Sequence, residues 1–199
     1  MSKTIYTLGH SNGPIERLIG LLGQYSITAV ADVRSQPYSR FNPQFNREAL
    51  ASSLKAVGIE YVFLGQELGA RSEDPSCYRN GRAQYSLMAK TAIFQRGIDR
   101  LLEGAERFRI AILCAEKEPL ACHRGILISR YLFEQGMSVR HILEDGSEEK
   151  HEDALTRLLQ LHGFQENHLF HSRDELIALA YEKQAKEIQY VTNGESTIT

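Results

Sequence analysis

A continuous apolar run, Ile110-Ala111-Ile112-Leu113, passes directly into Cys114-Ala115-Glu116 and then into Cys122-His123-Arg124. The run has the length of one strand, and chemically reactive residues begin where that strand would end. In an open parallel α/β sheet, ligands collect at the carboxyl ends of the strands. The same change from apolar to polar residues occurs at Tyr6-Thr7-Leu8 before Gly9-His10-Ser11-Asn12 and at Ala29-Val30-Ala31 before Asp32-Val33-Arg34-Ser35. A fourth run, Tyr61-Val62-Phe63, leads through Leu64-Gly65 to Arg71.

Helical patterns separate these apolar runs. Apolar residues recur with the spacing of one helix face in the segments between the runs, and a fifth β-branched run, Val139–Leu143, follows the last of them. Repeated strand–helix units of this length favour parallel pairing with right-handed crossovers. The sequence therefore predicts an α/β fold of three layers, in which a mostly parallel sheet of about five strands carries helices on both faces.

The character of the chain changes after the fifth run. We expect an α/β domain over residues 1–163 and, over residues 164–199, a C-terminal helical extension with a polar tail. Three segments support this division: an acidic stretch expected to form a solvated turn (Glu144–Asp153), a short amphipathic helix (Ala154–His162) and a second helix (Asp174–Gln189).

Bulk composition narrows the function classes. The 199 residues are 24% charged and 42% hydrophobic, and the net charge of -2 provides no overall basic field for DNA or a membrane surface. No apolar run approaches the roughly 20 residues that a membrane helix needs. Three cysteines without a CxxC spacing favour a reducing compartment, and the first residues show no signal-peptide core, so we expect a cytoplasmic protein.

Several short motifs occur together in a fixed order. They are Leu8-Gly9-His10-Ser11-Asn12, Asp32-Val33-Arg34-Ser35 with Pro37, Ser39 and Arg40, Cys114-Ala115-Glu116, Cys122-His123-Arg124, and Val139 to Ile142 followed by Asp145-Gly146. In this combination the chain resembles the family named "domain of unknown function 488", from residue 5 to about residue 146. The resemblance implies an intracellular α/β domain, and it implies no particular reaction.

The motif Cys122-His123-Arg124 is expected to open a helix, where free backbone N–H groups and the helix dipole favour an anion. An arginine fork binds phosphate or carboxylate, and a thiolate is favoured at the same place. The alternative is that Cys122 is a small buried apolar residue and His123 a surface cap. The predicted ligand-binding residues are Ser11, Arg34, Ser39, Arg40, Arg71, Cys114, Cys122 and Arg124.

Acid–base chemistry is assigned to four residues near the same strand ends: Asp32, Glu116, His10 and His123. Asp32 ends an apolar strand, where a carboxylate is costly without a partner, so either a salt bridge or a general base would explain it. Glu116 is a candidate counterpart, because paired carboxylates of unequal pKa perform acid–base work.

The leading hypothesis is an enzyme that acts on a phosphorylated small molecule, a nucleotide or a nucleic-acid component. Nucleic acid is included because Arg and Tyr alternate in the connection 65–82. No cofactor and no oligomeric state follow from the sequence.

Four alternatives remain open. The protein could be a non-catalytic sensor of nucleotides or nucleic acid, or its function could lie in the C-terminal helices as a partner surface. Cys114 could be a nucleophile, although ten residues separate it from Arg124, against six in cysteine phosphatases and rhodaneses. A zinc or iron site could form from His10, Cys114, Cys122 and His123, although no pair has a zinc-finger spacing.

Overall fold

A six-stranded sheet forms the centre of the protein in a computed structural model that describes residues 3–165 and 170–192. Its strand order is β3-β2-β6-β1-β7-β8, in which the first five are parallel and β8 runs antiparallel to β7. The strands are β1 (Thr4–Gly9), β2 (Ala29–Asp32), β3 (Glu60–Phe63), a separate short hairpin of β4 (Tyr78–Arg79) and β5 (Arg82–Ala83), β6 (Ile110–Cys114), β7 (Ser138–Ile142) and β8 (Glu148–Lys150).

Helices cover both faces of this sheet, and alternate strand residues face each side. Leu8, Val30 and Leu113 pack with the first two helices in one apolar cluster, whereas Ile5 and Ile112 pack with the later helices in the other. The helices are α1 (Ile15–Gln24), α2 (Arg47–Ala56), α3 (Gly65–Leu68), α4 (Tyr85–Met88), α5 (Ala92–Gly104), a π-helical stretch (Arg124–Ser129) continued by α6 (Arg130–Glu134), α7 (His151–Leu161) and α8 (Arg173–Ile188).

The three-layer α/β fold is confirmed, with one strand more than expected. The acidic stretch 144–153 was expected to be a solvated turn, and this was wrong: Glu148–Lys150 forms the edge strand β8, and His151 begins α7. Charged side chains suit an edge strand, because they discourage pairing with another chain.

The remaining differences are local. The connection after β3 contains α3 and the β4–β5 hairpin, and the helix expected to open at Cys122-His123-Arg124 begins as a π-helix at Arg124. Residues of α8 join the core cluster on the same face as α5, and the predicted boundary after residue 163 stays a prediction. The predicted polar tail lies almost entirely outside the described residues. Among the residues described, no helix is both long and apolar enough to cross a bilayer.

Candidate metal centre at the carboxyl edge of the sheet

The sheet brings the reactive ends of β1, β2 and β6 together. Gly9 of β1 is the register partner of Cys114, and Asp32 of β2 is the partner of Leu113 in the same strand β6. Hydrogen bonds continue past the strands, from His10 N to the Cys114 carbonyl (3.0 Å) and from Ser11 N to the Ala115 carbonyl (2.9 Å). The polar loops that follow these three strands therefore begin next to one another, at the carboxyl edge of the sheet.

Gly9 is required for this close approach. A Cβ atom at this position would lie 1.8 Å from the Glu116 carbonyl oxygen, which is far inside any non-bonded contact. The loop after β6 therefore rests directly on the end of β1. Gly125 plays the same part at the start of the π-helix, where a Cβ would lie 2.1 Å from the Pro119 carbonyl. These two glycines hold the 114–124 loop folded back on itself.

Two sulfurs, one imidazole nitrogen and one carboxylate oxygen meet within this loop. The Sγ atoms of Cys114 and Cys122 each lie 3.7 Å from Nδ1 of His123, and 3.0 Å and 3.1 Å respectively from Oε2 of Glu116. The ligand atoms of the two cysteines and the histidine all lie within 4.8 Å of one another. Both cysteines and the histidine are buried, whereas Glu116 is exposed to solvent.

His123 presents one nitrogen to the sulfurs and uses the other for orientation. Its Nε2 lies 3.1 Å from the Val33 carbonyl oxygen, which can only accept, so Nε2 carries the proton and donates it. In the neutral ring, the form that binds a metal, Nδ1 carries a lone pair directed at both cysteines. Although burial opposes it, the charge of Cys122 and its hydrogen bond raise the pKa of His123. A ligating histidine commonly has its other nitrogen fixed in this way, by a backbone carbonyl or a carboxylate.

The electrostatics of the cluster favour charge separation. Burial alone would raise the pKa of Cys122, but the hydrogen bond from Cys114 and the charges of Arg124 and His123 hold it well below its usual value. The hydrogen bond to Cys122, together with burial, raises the pKa of Cys114. Burial and the neighbouring Cys122 also raise the pKa of Glu116. The cluster thus contains a sulfur with thiolate character, the form that binds metals.

These distances match the geometry of a tetrahedral metal ion. Zinc bonds to sulfur at about 2.3 Å and to nitrogen at about 2.0–2.1 Å, which separates two such ligands by about 3.6 Å at a tetrahedral angle. The observed sulfur–nitrogen distances are both 3.7 Å. The Glu116 carboxylate contacts both sulfurs, at 3.0 Å and 3.1 Å, but it does not belong to the set of ligand atoms that lie within 4.8 Å of one another. The structure therefore brings together three ligands of such an ion.

The Arg124 guanidinium is not positioned to bind an external anion, which is the role that the sequence predicted. Its side chain is fully buried, and its terminal nitrogens donate to the Glu116 and Lys117 carbonyl oxygens. Its Nε has no hydrogen-bond partner in the structure. The guanidinium therefore ties the 114–124 loop together from within and supplies positive charge beside Cys122.

A second network lies beside the cluster on β2. The Asp32 carboxylate accepts from Nε and Nη2 of Arg34 at 2.9 Å and 2.6 Å, and from the Tyr61 hydroxyl at 2.8 Å. Arg34 also donates to Nε2 of His10 at 3.1 Å, while His10 Nδ1 donates to the Ser11 carbonyl. Burial, followed by the charge of Arg34, lowers the pKa of His10 to about 4. His10 is therefore neutral and engaged with Arg34, outside the sulfur cluster.

The remaining predicted ligand residues contact other groups. Ser39 Oγ accepts from the backbone of its own loop, and Arg40 lies over the Phe41 ring. Arg71 donates to Gln36 and lies over the Tyr190 ring. In the contacts of the described residues, none of these three touches the sulfur cluster. The four arginines thus have four separate environments instead of sharing one anion site.

Sequence reasoning missed Tyr61 and the Val33 carbonyl. Tyr61 was assigned to a strand, but alternation along β3 does not reveal that its hydroxyl reaches Asp32 on the neighbouring strand. A cavity of about 820 Å³ is also separate from the cluster: it lies between α4, α6 and α8, lined among others by Tyr131, Tyr181 and Lys186. None of the predicted site residues lines it.

Comparison with known proteins identifies a family and nothing closer. No curated protein and no solved structure matched the chain. Residues 14–131 match the domain of unknown function DUF488, and this stretch is more than half of the 199 residues. It includes β2, β3, β6 and all of the sulfur cluster. The chain therefore belongs to the DUF488 family.

Proposed function

We propose that this protein is a metalloenzyme that binds one zinc-class ion through Cys114, Cys122 and His123 and uses it to activate water. The observation that carries the proposal is the convergence of these three ligand atoms within 4.8 Å, with sulfur–nitrogen distances typical of tetrahedral coordination. His10, one of the four residues considered for a metal from the sequence, takes no part. Iron is the alternative ion, because thiolate and imidazole ligands suit both metals.

Cys77 shows why burial alone does not suggest a metal. It is fully buried among apolar side chains of the same core, the usual place of a structural cysteine. Cys114 and Cys122, in contrast, share one carboxylate oxygen and one imidazole nitrogen. A nucleophilic role is less well supported, because both sulfurs are almost completely covered and a small ion reaches them more easily than a substrate carbon.

Glu116 supplies the catalytic part of the proposal. Catalytic zinc sites keep three protein ligands and a fourth position for water, whose pKa the ion lowers to about 7. The solvent-exposed Glu116 carboxylate lies 3.1 Å from the Cys122 sulfur, and we assign it the role of accepting a proton from water bound at that position. The expected reaction class is hydrolysis at an electrophilic centre. The cysteines must stay reduced, which is the state expected in the cytoplasm.

The phosphate-bearing substrate expected from the sequence stays a prediction. Arg34 already pairs with Asp32, and Arg124 binds loop carbonyls, so neither guanidinium is free for a second anion without rearrangement. These contacts support the metal centre more strongly than an arginine-lined phosphate site.

Metal analysis tests the proposal. Protein purified without a histidine tag and dialysed against zinc should hold about one ion per chain by elemental analysis. Cys114→Ser and Cys122→Ser should lose the ion, whereas Cys77→Ala, the matched control, should keep it. Wild-type protein well below one ion per chain, or cysteine variants that bind as well as Cys77→Ala, would contradict metal binding.

The catalytic part has a separate test. Cobalt(II) placed in the site gives visible absorption that responds to its ligands. An exchangeable fourth position predicts that added cyanide changes this spectrum, and that Glu116→Gln makes the change occur at lower cyanide. A spectrum that does not respond in either protein would show a closed, structural site.

A further inference from the structure

The connection between β2 and α2 displays two aromatic rings to solvent. Tyr38 is 59% exposed and Phe41 is 79% exposed, although both belong to a loop whose other aromatic residue, Phe45, is buried. Aromatic rings exposed close together in sequence, beside a basic residue, have the composition of a ligand-stacking surface. We call Tyr38, Arg40 and Phe41 the aromatic platform.

Hydrogen bonds hold the platform in one conformation. Ser39 Oγ accepts from the backbone N–H groups of Phe41 and Asn42, at 3.1 Å and 3.2 Å. The Asn46 side chain accepts from Ser39 N at 2.6 Å, and the Tyr38 hydroxyl donates to Glu48 on α2 at 2.8 Å. The rings are therefore presented by a loop that is already ordered, which reduces the entropy lost on binding.

The same loop is fastened to the candidate metal centre. The Phe45 ring stacks on His10 with 4.2 Å between ring centroids, and His10 N is bonded to the Cys114 carbonyl. Gln44 donates to the Gly13 carbonyl, and Asn42 donates to Asn12, both in the loop after β1. The platform thus stands at the carboxyl edge of the sheet, on the side chains that border the cluster.

Arg40 gives the platform its charge. Its guanidinium lies 5.0 Å from the centroid of the Phe41 ring, and no carboxylate pairs with it among residues 3–165 and 170–192. An aromatic ring with an adjacent unpaired arginine suits a ligand that has flat π-faces and regularly spaced negative charges. Unpaired nucleobases on a phosphodiester backbone have both features.

We propose that the aromatic platform binds single-stranded nucleic acid, with bases stacked on Phe41 and Tyr38 and a phosphate on Arg40. Binding itself is independent of the ion. The further statement, that the platform delivers this strand to the metal centre, rests on the function proposed above.

Fluorescence polarisation with labelled single-stranded oligonucleotides of about 20 nucleotides, DNA and RNA, tests the proposal. Base–aromatic stacking is worth about 1–3 kcal/mol per base, so Phe41→Ala should weaken binding by about 5- to 150-fold. Arg40→Gln should weaken it and lower the salt dependence by about one phosphate contact. Leu161→Ala, which truncates an apolar side chain that is 60% exposed on α7, is the matched control and should change nothing.

Each negative result of these binding experiments leads to a different conclusion. No binding by the wild type, equal effects of Phe41→Ala and Leu161→Ala, or equal affinity for a blunt duplex would overturn the proposal. Dimerisation that Phe41→Ala abolishes, without oligonucleotide binding, would assign the platform to a protein contact instead. Binding that survives in chelator-treated protein supports the platform even if the metal test fails, so the two proposals are separable.

Discussion

Two buried polar clusters lie on the same face of the sheet, and they are built in opposite ways. The sulfur cluster brings three ligand atoms, from Cys114, Cys122 and His123, within 4.8 Å of one another, and the Glu116 carboxylate contacts both sulfurs. The second cluster, here called the histidine chain, runs in a line through Thr7, His141, His151 and Tyr181, with hydrogen bonds of 2.8, 2.9 and 2.7 Å.

In the histidine chain every imidazole nitrogen has its own hydrogen-bond partner, whereas in the sulfur cluster the two sulfurs share their partners. Both nitrogens of His141 and both nitrogens of His151 have a partner, so the chain is complete as it stands. A buried network of this kind fixes β1, β7, α7 and α8 relative to one another. In the sulfur cluster, one carboxylate oxygen and one nitrogen are each shared by two sulfurs. Convergence of ligand atoms, more than burial of histidine, is therefore what distinguishes the candidate metal centre.

Exchanging one histidine from each cluster gives the largest expected contrast. His123→Gln should abolish the stabilisation that zinc provides, which for the wild type is about 4 kcal/mol when free zinc is about 1,000 times its Kd. His151→Gln should lower the stability of the metal-free protein and leave the zinc-dependent increase intact. Urea unfolding with and without zinc measures both.

The contrast would fail in two ways. If His151→Gln also removed the zinc response, the histidine chain would belong to the metal site. If His123→Gln responded to zinc like the wild type, the ion would bind elsewhere.

Gly9 tests whether the sulfur cluster depends on its backbone support. An alanine Cβ at this position would lie 1.8 Å from the Glu116 carbonyl, so the 114–124 loop must move. Such overpacking costs about 3 kcal/mol of the free energy of unfolding, and zinc affinity should fall with it. Gly20→Ala is the control, because nothing lies within 4 Å of its Cβ, and alanine stabilises a helix by about 1 kcal/mol relative to glycine. Equal stabilities of the two variants, measured by thermal unfolding, would contradict the tight contact.

The fold was largely predictable, because it depends on local patterns. Four apolar runs that lead to reactive residues, and a fifth run at 139–143, correctly identified the five parallel strands, and the helical spacing correctly placed helices between them. The edge strand β8 was missed because Glu148-Glu149-Lys150 has no apolar face, and its strand structure comes from pairing with β7. Tertiary contact, and not local preference, determines that segment.

The candidate metal centre is made of residues that the sequence singles out, but their contacts could not be predicted. Cys114, Glu116, Cys122 and His123 were all singled out, since their positions at strand and helix ends follow from the pattern. Which arginine lies near these residues depends on the direction of its side chain. The sequence therefore could not show that Arg124 binds carbonyl groups of the 114–124 loop. The histidine chain was equally invisible, because Thr7 and His141 meet across 134 residues of sequence.

Lowering the pH should destabilise the folded protein through the histidine chain, by a smaller amount than the substitutions above. Burial lowers the pKa of His151 from 6.5 to about 4, and burial, His151, Arg124 and Arg157 together lower the pKa of His141. The unfolded chain therefore binds protons that the folded chain excludes, so stability is lost as the pH falls below 6.5 toward 4. His151 alone predicts a loss of about 2 kcal/mol between about pH 7 and pH 5.

A difference measurement isolates this loss from other titrating groups. The free energy of unfolding in urea is measured across that range for the wild type and for His151→Gln, both with chelator so that no ion contributes. The two proteins share every other carboxylate and histidine, so the gap between them should narrow by about 2 kcal/mol as the pH falls. The gap narrows because only the wild type loses stability through position 151. The His151 imidazole takes up a proton in the unfolded chain at a pH where the folded protein keeps it neutral, whereas glutamine does not titrate. A constant gap would mean that His151 has the same pKa in the folded and the unfolded protein. Burial in the histidine chain would then not penalise the protonated imidazole, and this difference from the sulfur cluster would be lost.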